Sequence, residues 1–285
     1  MSTKHVLATL SYVKRFAGQT VLIKVGGAAL EDVGLVKSIC ESLTLIRAVG
    51  VKVVLVHGGG PAINRELTTH GITWEFIDGQ RVTTPEMMDV IEMVLCGHVN
   101  KRIVRTLNAQ GVPAVGLSGA DASTLQCKQQ NAKLGQVGQI EKVNTKLIEA
   151  VTESSIPVIA PIGVGKNGKA FNINADWAAA RLAQGLGIKK MLFLTDQEGI
   201  LDTTGKVIAE LDAGELEQLI ESGVVTGGML AKVRTIVHAL RNGVTDVHVL
   251  NARLPHGLIE ELFTDKGIGT ACRLRSLPAK ETAHV

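Results

Sequence analysis

Five aliphatic residues in a stretch of six, Val51, Val53, Val54, Leu55 and Val56, lead to His57 and then to Gly58, Gly59, Gly60 and Pro61. No other feature of the chain restricts its fold as much. An unbroken aliphatic run marks a strand buried on both faces of a parallel sheet, whereas a strand with one wet face alternates. Three glycines strip side chains from the backbone where it turns, and Pro61 suits the first helical position. Thr20, Val21, Leu22, Ile23, Lys24, Val25, Gly26 and Gly27 repeat the plan, with a lysine near the carboxyl end of the strand. Bare amides at such turns bind anions, so two turns side by side on one sheet predict a phosphate cradle with a cation in it.

Strand and helix alternate along the rest of the chain. Helical spacing of Val6, Leu7, Leu10, Tyr12, Val13 and Phe16 predicts a helix over 3–16 that precedes the first core strand and is an addition to the sheet domain. Helices are expected over 31–49, closed by Gly50, and over 61–70, closed by Gly71. A short strand at 74–77 leads into the polar segment 78–85, which opens one long helix to about Ala109, and a strand follows over 112–117. Residues 118–144 shift to Gly, Gln, Lys and Ser in short alternating runs, the pattern of antiparallel structure projecting from the sheet edge and able to cover a ligand. Beyond a helix over 145–153, strands are expected over 156–162, 190–195, 247–250 and 270–274, a hairpin over 200–208, and helices over 213–221, 227–242 and 255–263. This alternation predicts parallel βαβ units, hence an α/β protein of two lobes on one sheet with a boundary near Asn172.

At 285 residues and 45% hydrophobic content the chain can bury a full core. Its 30 basic and 27 acidic residues are spread along the whole length, and aromatics make up only 3%. That argues against a nucleic-acid-binding arm, a polybasic membrane anchor and a base-stacking platform, and leaves small anions as the expected ligands. Cys40, Cys96, Cys127 and Cys272 form no C-x-x-C pair, so free buried thiols in a reducing cytosol are expected rather than a zinc or redox site. The first residues lack the apolar core of a signal peptide, and no apolar run approaches the roughly 20 residues that span a bilayer. A soluble, cytoplasmic protein is expected.

Gly163, Gly165 and Gly168 fit G-x-G-x-x-G, and with Lys169 they miss the Walker A pattern only at Ala170. Both fingerprints need a helix to open there. Asn167-Gly168 is instead a two-residue hairpin signal, and residues 186–191 offer no acid for a ribose hydroxyl, which excludes a Rossmann dehydrogenase and a P-loop ATPase. Phosphoryl transfer asks a protein for fixed positive charge, backbone donors and alignment more than for a covalent catalyst. Lys24 stands beside the glycines of the first turn, and Lys232 lies early in a helix opened by Gly227 and Gly228. Asp176, near the start of another helix, is placed to hold both ammonium groups. A lysine alone is more often a solvated surface charge, but the end of a buried strand next to two glycines reverses that preference for Lys24. Arg81 offers a planar fork for a carboxylate substrate, or else a loop salt bridge. Asn172 and Asn174 are amide donors or helix caps, Asn174 being the better cap. His57 reads as a packed or hydrogen-bonded residue, since an acceptor that is already a carboxylate needs no base.

Taken together, Lys24-Val25-Gly26-Gly27, His57-Gly58-Gly59-Gly60-Pro61, Gly79-Gln80-Arg81-Val82-Thr83, Asn172-Ile173-Asn174-Ala175-Asp176, Thr195-Asp196 with Gly199, and Gly228-Met229 with Lys232-Val233 resemble the amino acid kinase family. The resemblance runs from about residue 10 to 274, with the motifs in the family's order. It implies a three-layer αβα sandwich around a mainly parallel sheet, with an oligomerisation helix over 1–18, an amino-acid-substrate lobe over 19–172 and an ATP lobe over 173–285. It also implies transfer of the γ-phosphoryl group of ATP to the side-chain carboxylate of N-acetyl-L-glutamate, with Mg2+ held mainly by the phosphates and no protein-built metal site. Lys24 and Lys232 would stabilise the transferring group, and Asp176 would organise them. Gly26, Gly27, Gly59 and Gly60 would supply backbone donors, Arg81 would grip the α-carboxylate, and Asn172 would bind near the acetylamino end. Thr195, Asp196, Gly199, Gly227, Gly228 and Met229 would surround the nucleotide. The chain departs from the family pattern at Val25, Ala120 and Ala231, where tyrosine, lysine and proline are common.

Both ends of the chain are similar to those of arginine-inhibited members. That similarity implies an arginine site made by Tyr12, His248, Glu261 and the backbone at Gly267, and N-terminal helices that link dimers into a hexameric ring. Asn251-Ala252 departs from the Asp-Gly usual there. Two alternatives stand beside this reading. One is a related kinase acting on aspartate or an acetyl-aminoadipate, and the other is a non-catalytic amino-acid sensor of the same fold, which would have lost Lys24, Asp176 or Lys232.

Overall fold

The computed structural model describes residues 3–264 and 267–275, with side chains from Leu10 onward. The chain opens with α1 (Thr3–Phe16), β1 (Thr20–Val25), α2 (Val33–Ala48), β2 (Lys52–His57) and α3 (Gly60–Thr69). It continues with β3 (Phe76–Ile77), β4 (Gln80–Arg81), α4 (Pro85–Glu92), α5 (Asn100–Ala109), β5 (Ala114–Ser118), β6 (Leu125–Gln129), β7 (Gly138–Val143) and α6 (Lys146–Ser154). Then come β8 (Ile156–Ala160), β9 (Ile162–Val164), β10 (Ala170–Asn172), α7 (Ala175–Gly185), β11 (Lys190–Thr195), β12 (Glu210–Asp212), α8 (Ala213–Glu221), α9 (Gly227–Arg241), β13 (Asp246–Asn251), α10 (Gly257–Phe263) and β14 (Thr270–Arg273). Side chains close the first turns of several helices. The Asp32 carboxylate accepts from Leu35 N at the start of α2, and Thr84 Oγ1 accepts from Met87 N at the start of α4.

Eight strands form one sheet in the order β12, β14, β13, β11, β1, β2, β8, β5. Every neighbouring pair is parallel except β13 with β14. β1 lies inside the sheet, pairing with β2 on one side and β11 on the other. Alternate residues of β1 enter opposite apolar layers: Val21, Ile23 and Val25 pack with α2 and α3, and Leu22 packs with α7 and α9. This is the three-layer αβα arrangement with a mainly parallel sheet. A second sheet, in the order β10, β9, β6, β7, carries the antiparallel structure expected near the sheet edge. The main sheet takes strands from both sides of Asn172 without a break. Among the described residues, no helix is long and apolar enough to cross a membrane.

The structure corrects several boundaries. The helix expected over 85–109 is interrupted by a π-helical segment, Met93–Val99, between α4 and α5. The strand expected at 74–77 shrinks to β3, which pairs antiparallel with β4 around Asp78 and Gly79, both with positive φ (49° and 75°). Asp78-Gly79 carries the same two-residue hairpin signal as Asn167-Gly168. Residues 200–208 turn back with a single bridge, Leu201 to Val207, and β12 adds a short strand outside the expected set. The segment with the P-loop-like spacing is a hairpin of β9 and β10 joined by a single 3-10 turn, Lys166–Gly168, and β10 rather than an α-helix follows its last glycine.

Candidate active site

The carboxyl ends of β1, β2 and β11 meet where the chain direction across the sheet switches, which is where open α/β sheets form ligand crevices. The sheet ladder runs one residue past the strands: Gly26 N–H donates to Leu194 O and Gly58 N–H to Val25 O, each at 2.9 Å. The Gly26 amide expected to face a ligand is therefore committed to the sheet. The amides of Gly27, Gly59 and Gly60 have no such acceptor among the described residues. A Cβ on Gly27 would lie 2.8 Å from both the Gly59 and the Gly60 nitrogen, so the two turns touch and glycine alone permits it. That point is at hydrogen-bond distance from two open donors, a place suited to an anionic oxygen.

Lys24, from β1, and Lys232, from α9, converge on Asp176 in the first turn of α7. Lys24 Nζ is 2.6 Å from Asp176 Oδ1 and Lys232 Nζ is 2.8 Å from Oδ2. The Lys232 contact is a directed hydrogen bond, while the Lys24 contact is an ion pair by charge and distance. All three residues are buried. Burial alone would raise the Asp176 carboxyl, but Lys24 and Lys232 outweigh it and hold the group well below the usual carboxylate range. Burial, and then the charge of Lys24, lower Lys232. Asn174 fixes the carboxylate's position, its Oδ1 accepting from Asp176 N at 2.9 Å and Trp177 N at 3.2 Å as the N-cap of α7.

These lysines line a cavity of about 640 Å³ with Gly26, Gly27, Thr195, Asp196, Gly228 and Met229. Gly199 and Gly227 stand outside that lining. Gly199 instead admits close packing, since a Cβ there would lie 2.7 Å from Thr270 Oγ1 and 2.8 Å from Val207, and Gly227 supplies a positive φ of 53° at the start of α9. A neighbouring cavity of about 300 Å³ is lined by Gly59, Gly60, Asn64, Arg81 and Asn172. The two share Gly79 and Asn174.

Arg81 is only 6% exposed. Its guanidinium lies 4.8 Å from the Phe76 ring centre and 5.6 Å from that of Trp74, and Nη2 donates to Asn64 Oδ1. Nη1 is buried without a partner. Burial pulls the pKa down to about 10, which leaves the group cationic at neutral pH. Of the two roles open to Arg81, a loop salt bridge is absent among the described residues, and a donor remains for a carboxylate. Asn172 Nδ2 donates to Thr83 Oγ1 at 3.1 Å. His57 is fully buried, with Nδ1 3.0 Å from Gly58 O and Nε2 3.2 Å from Asn100 Nδ2. Asn100 donates, so Nε2 accepts and the ring is neutral with its proton on Nδ1. Burial pushes this imidazole down to about 4. The four thiols are free, and burial raises Cys40, Cys127 and Cys272 to about 12 and Cys96 to about 11.

A separate cavity of about 510 Å³ brings together Tyr12, His248, Glu261 and Gly267, with Lys190, Asp246, Glu210 and Arg273 around them. Asp265 and Lys266 lie outside the described residues. His248 Nε2 is 2.8 Å from Asp246 Oδ1, and Nδ1 meets Glu261. Burial alone would lower His248, but the hydrogen bonds to Asp246 and Glu261 raise it.

Sequence reasoning missed Asn64, Asn100, Thr83 and the aromatic faces on Arg81. Trp74 and Phe76 gave a signal, two aromatics within eight positions of Arg81 in a chain with 3% aromatics. Asn64 and Asn100 gave none, because each acts on a residue brought near only by folding.

Residues 19–251 match the model of the amino acid kinase family. The chain is 43% identical to the acetylglutamate kinase of Nitrosococcus oceani over 292 aligned positions, covering 96% of this chain and 97% of that one. It is 44% identical to the acetylglutamate kinase of Clostridioides difficile, covering 94% and 96% respectively. Among solved structures, N-acetylglutamate synthase from Neisseria gonorrhoeae, complexed with coenzyme A and N-acetyl-glutamate, superimposes with a TM-score of 0.87 at 26% identity. The overlap covers 97% of this chain and spans 65% of the synthase chain.

Proposed function

The chain belongs to the amino acid kinase family and is a kinase, and from that premise we propose that it transfers the γ-phosphoryl group of ATP to the side-chain carboxylate of N-acetyl-L-glutamate, yielding the acyl phosphate. The observation that carries this reading is the buried pair of lysines on one carboxylate, in the wall of the larger of two cavities that share Gly79 and Asn174. Two ammonium groups against one carboxylate leave one positive charge uncompensated, available to the equatorial oxygens of a phosphoryl group in transit. Gly27, Gly59 and Gly60 add backbone donors, and the acceptor carboxylate needs no base. On this reading the larger cavity takes ATP and residues 173–285 supply most of it, while the smaller takes the acyl amino acid, residues 19–172 supplying Arg81 for its α-carboxylate and Asn172 for its acetylamino end.

Mg2+ suits the donor set of the larger cavity as a guest of the nucleotide. Beside the lysine-bound Asp176, the acid lining it is Asp196, enough to assist a phosphate-bound ion and too few for a protein-built cage. Magnesium would supply charge neutralisation between phosphates.

We further infer that arginine inhibits the enzyme from the cavity of Tyr12, His248, Glu261 and Gly267. Its carboxylates suit the guanidinium and ammonium groups of a free amino acid, and Lys190 and Arg273 suit its carboxylate. The helix α1, which forms one wall, is read as the element that joins dimers into a hexamer.

The test is an ATP-dependent assay that traps acyl phosphate with hydroxylamine, offering acetylglutamate, aspartate and acetyl-aminoadipate side by side. Acetylglutamate is expected to turn over fastest. Faster turnover of either rival would replace the substrate assigned here, and no turnover of any would favour a sensor.

A further inference from the structure

A fourth cavity, of about 410 Å³, lies against α7, α9, β7 and the tip of the β3–β4 hairpin. Gln80, Gln139, Asn174, Arg181 and His238 give it polar groups, and Trp177 lies 4.9 Å from the His238 ring. Its lining contains no aspartate or glutamate. Arg181 makes one long hydrogen bond, from Nη2 to Glu141 O at 3.4 Å, and its Nε is buried without an acceptor. Among the described residues no ion pair neutralises it.

A guanidinium without a counter-ion in a partly enclosed cavity suits an anion. The lining narrows the class. A free amino acid brings an ammonium group that nothing here would neutralise. A phosphate dianion calls for more fixed charge or a nest of amides, whereas burial, and then Arg181, lower the His238 imidazole and keep it neutral. A single negative charge matches the single guanidinium, and the amide side chains match neutral polar atoms.

We propose that this cavity is a second ligand site, for a monocarboxylate that carries an amide or carbonyl and no free ammonium group, and that its occupant is coupled to the active site. Gln80, Ile173 and Asn174 line both this cavity and the smaller active-site cavity, Arg81 lines only the latter of the two, and Asn174 caps the helix that carries Asp176. A ligand bridging Gln80 to Arg181 ties the hairpin to α7, so it binds better when the hairpin is held there.

The chain has two tryptophans, Trp74 and Trp177, so in a Trp74→Phe background the emission reports Trp177. N-acetylglycine is the probe, with glycine and inorganic phosphate as comparisons. A saturable change is expected with N-acetylglycine and not with glycine or phosphate. Arg181→Gln should weaken it roughly tenfold or more, as loss of a charge-assisted hydrogen bond does. Adding Arg81→Ala should leave the response in place, which separates this site from the substrate cavity whatever the fate of the proposed reaction. No saturable response, an equal response to phosphate or glycine, or a response lost with Arg81→Ala and kept with Arg181→Gln would each overturn the proposal.

Discussion

Asp176 has one charge for two ammonium groups, and that imbalance predicts opposite outcomes for the three residues. Lys24→Ala or Lys232→Ala leaves a balanced pair, so the fold should persist while kcat falls by about 3 to 4 kcal/mol in barrier terms, the cost of losing one preorganised charge. Steady-state kinetics and circular dichroism check both halves, and unchanged turnover in either variant refutes its role. Asp176→Ala instead leaves two buried like charges, and a thermal melt should show a loss on the order of 3 to 5 kcal/mol. His57 sets a pH dependence. Its folded pKa of about 4 lies below the ordinary 6.5, so the unfolded chain binds a proton first, and stability present above pH 6.5 is lost as pH falls towards 4. The full effect is about 3 kcal/mol. His57→Gln should flatten that part of the stability profile in denaturant titrations at stepped pH, and an unaltered slope would contradict the assignment.

The β3–β4 hairpin is the element through which Arg81 reaches its cavity, and its turn depends on Gly79 at a φ of 75°. A side chain there meets nothing within 4 Å, so the penalty is conformational alone. Gly79→Ala should cost roughly 1 to 2 kcal/mol in the folded hairpin, which appears as a roughly fivefold to thirtyfold rise in KM for the carboxylate substrate. Asparagine tolerates the left-handed region, so Gly79→Asn should recover most of the loss. Equal kinetics for the two variants would show that the turn does not govern binding. The π-helical segment between α4 and α5 is the other element that folding adds, and it sets Leu95 where a Cβ on Gly59 would come within 2.5 Å.

At the scale of the molecule, α1 stands outside the central sheet. Phe16 anchors it edge-on to Phe263 at 6.2 Å, while Leu10 remains 55% exposed. An exposed leucine on an amphipathic helix suits burial against a second copy. Deleting the residues before Phe16 should lower the sedimentation coefficient and abolish arginine inhibition while acetylglutamate kinase activity survives. A truncated protein that stays hexameric and fully arginine-sensitive would refute the oligomer and the regulatory site together.

The sequence by itself determined the strands β1, β2 and β11, the glycine turns after the first two, and the lysines and aspartate that meet there. Those features rest on local rules: an aliphatic run has few places to go but a buried strand, and glycine, proline and asparagine act within a few residues of themselves. Tertiary structure alone decided that the Gly26 amide belongs to Leu194, that Gly199 packs against Thr270, and that Asn64 and Asn100 hold Arg81 and His57. Each of these pairs residues distant in sequence, and a hydrogen bond between such partners is fixed by the sheet order and the helix packing that bring them within reach.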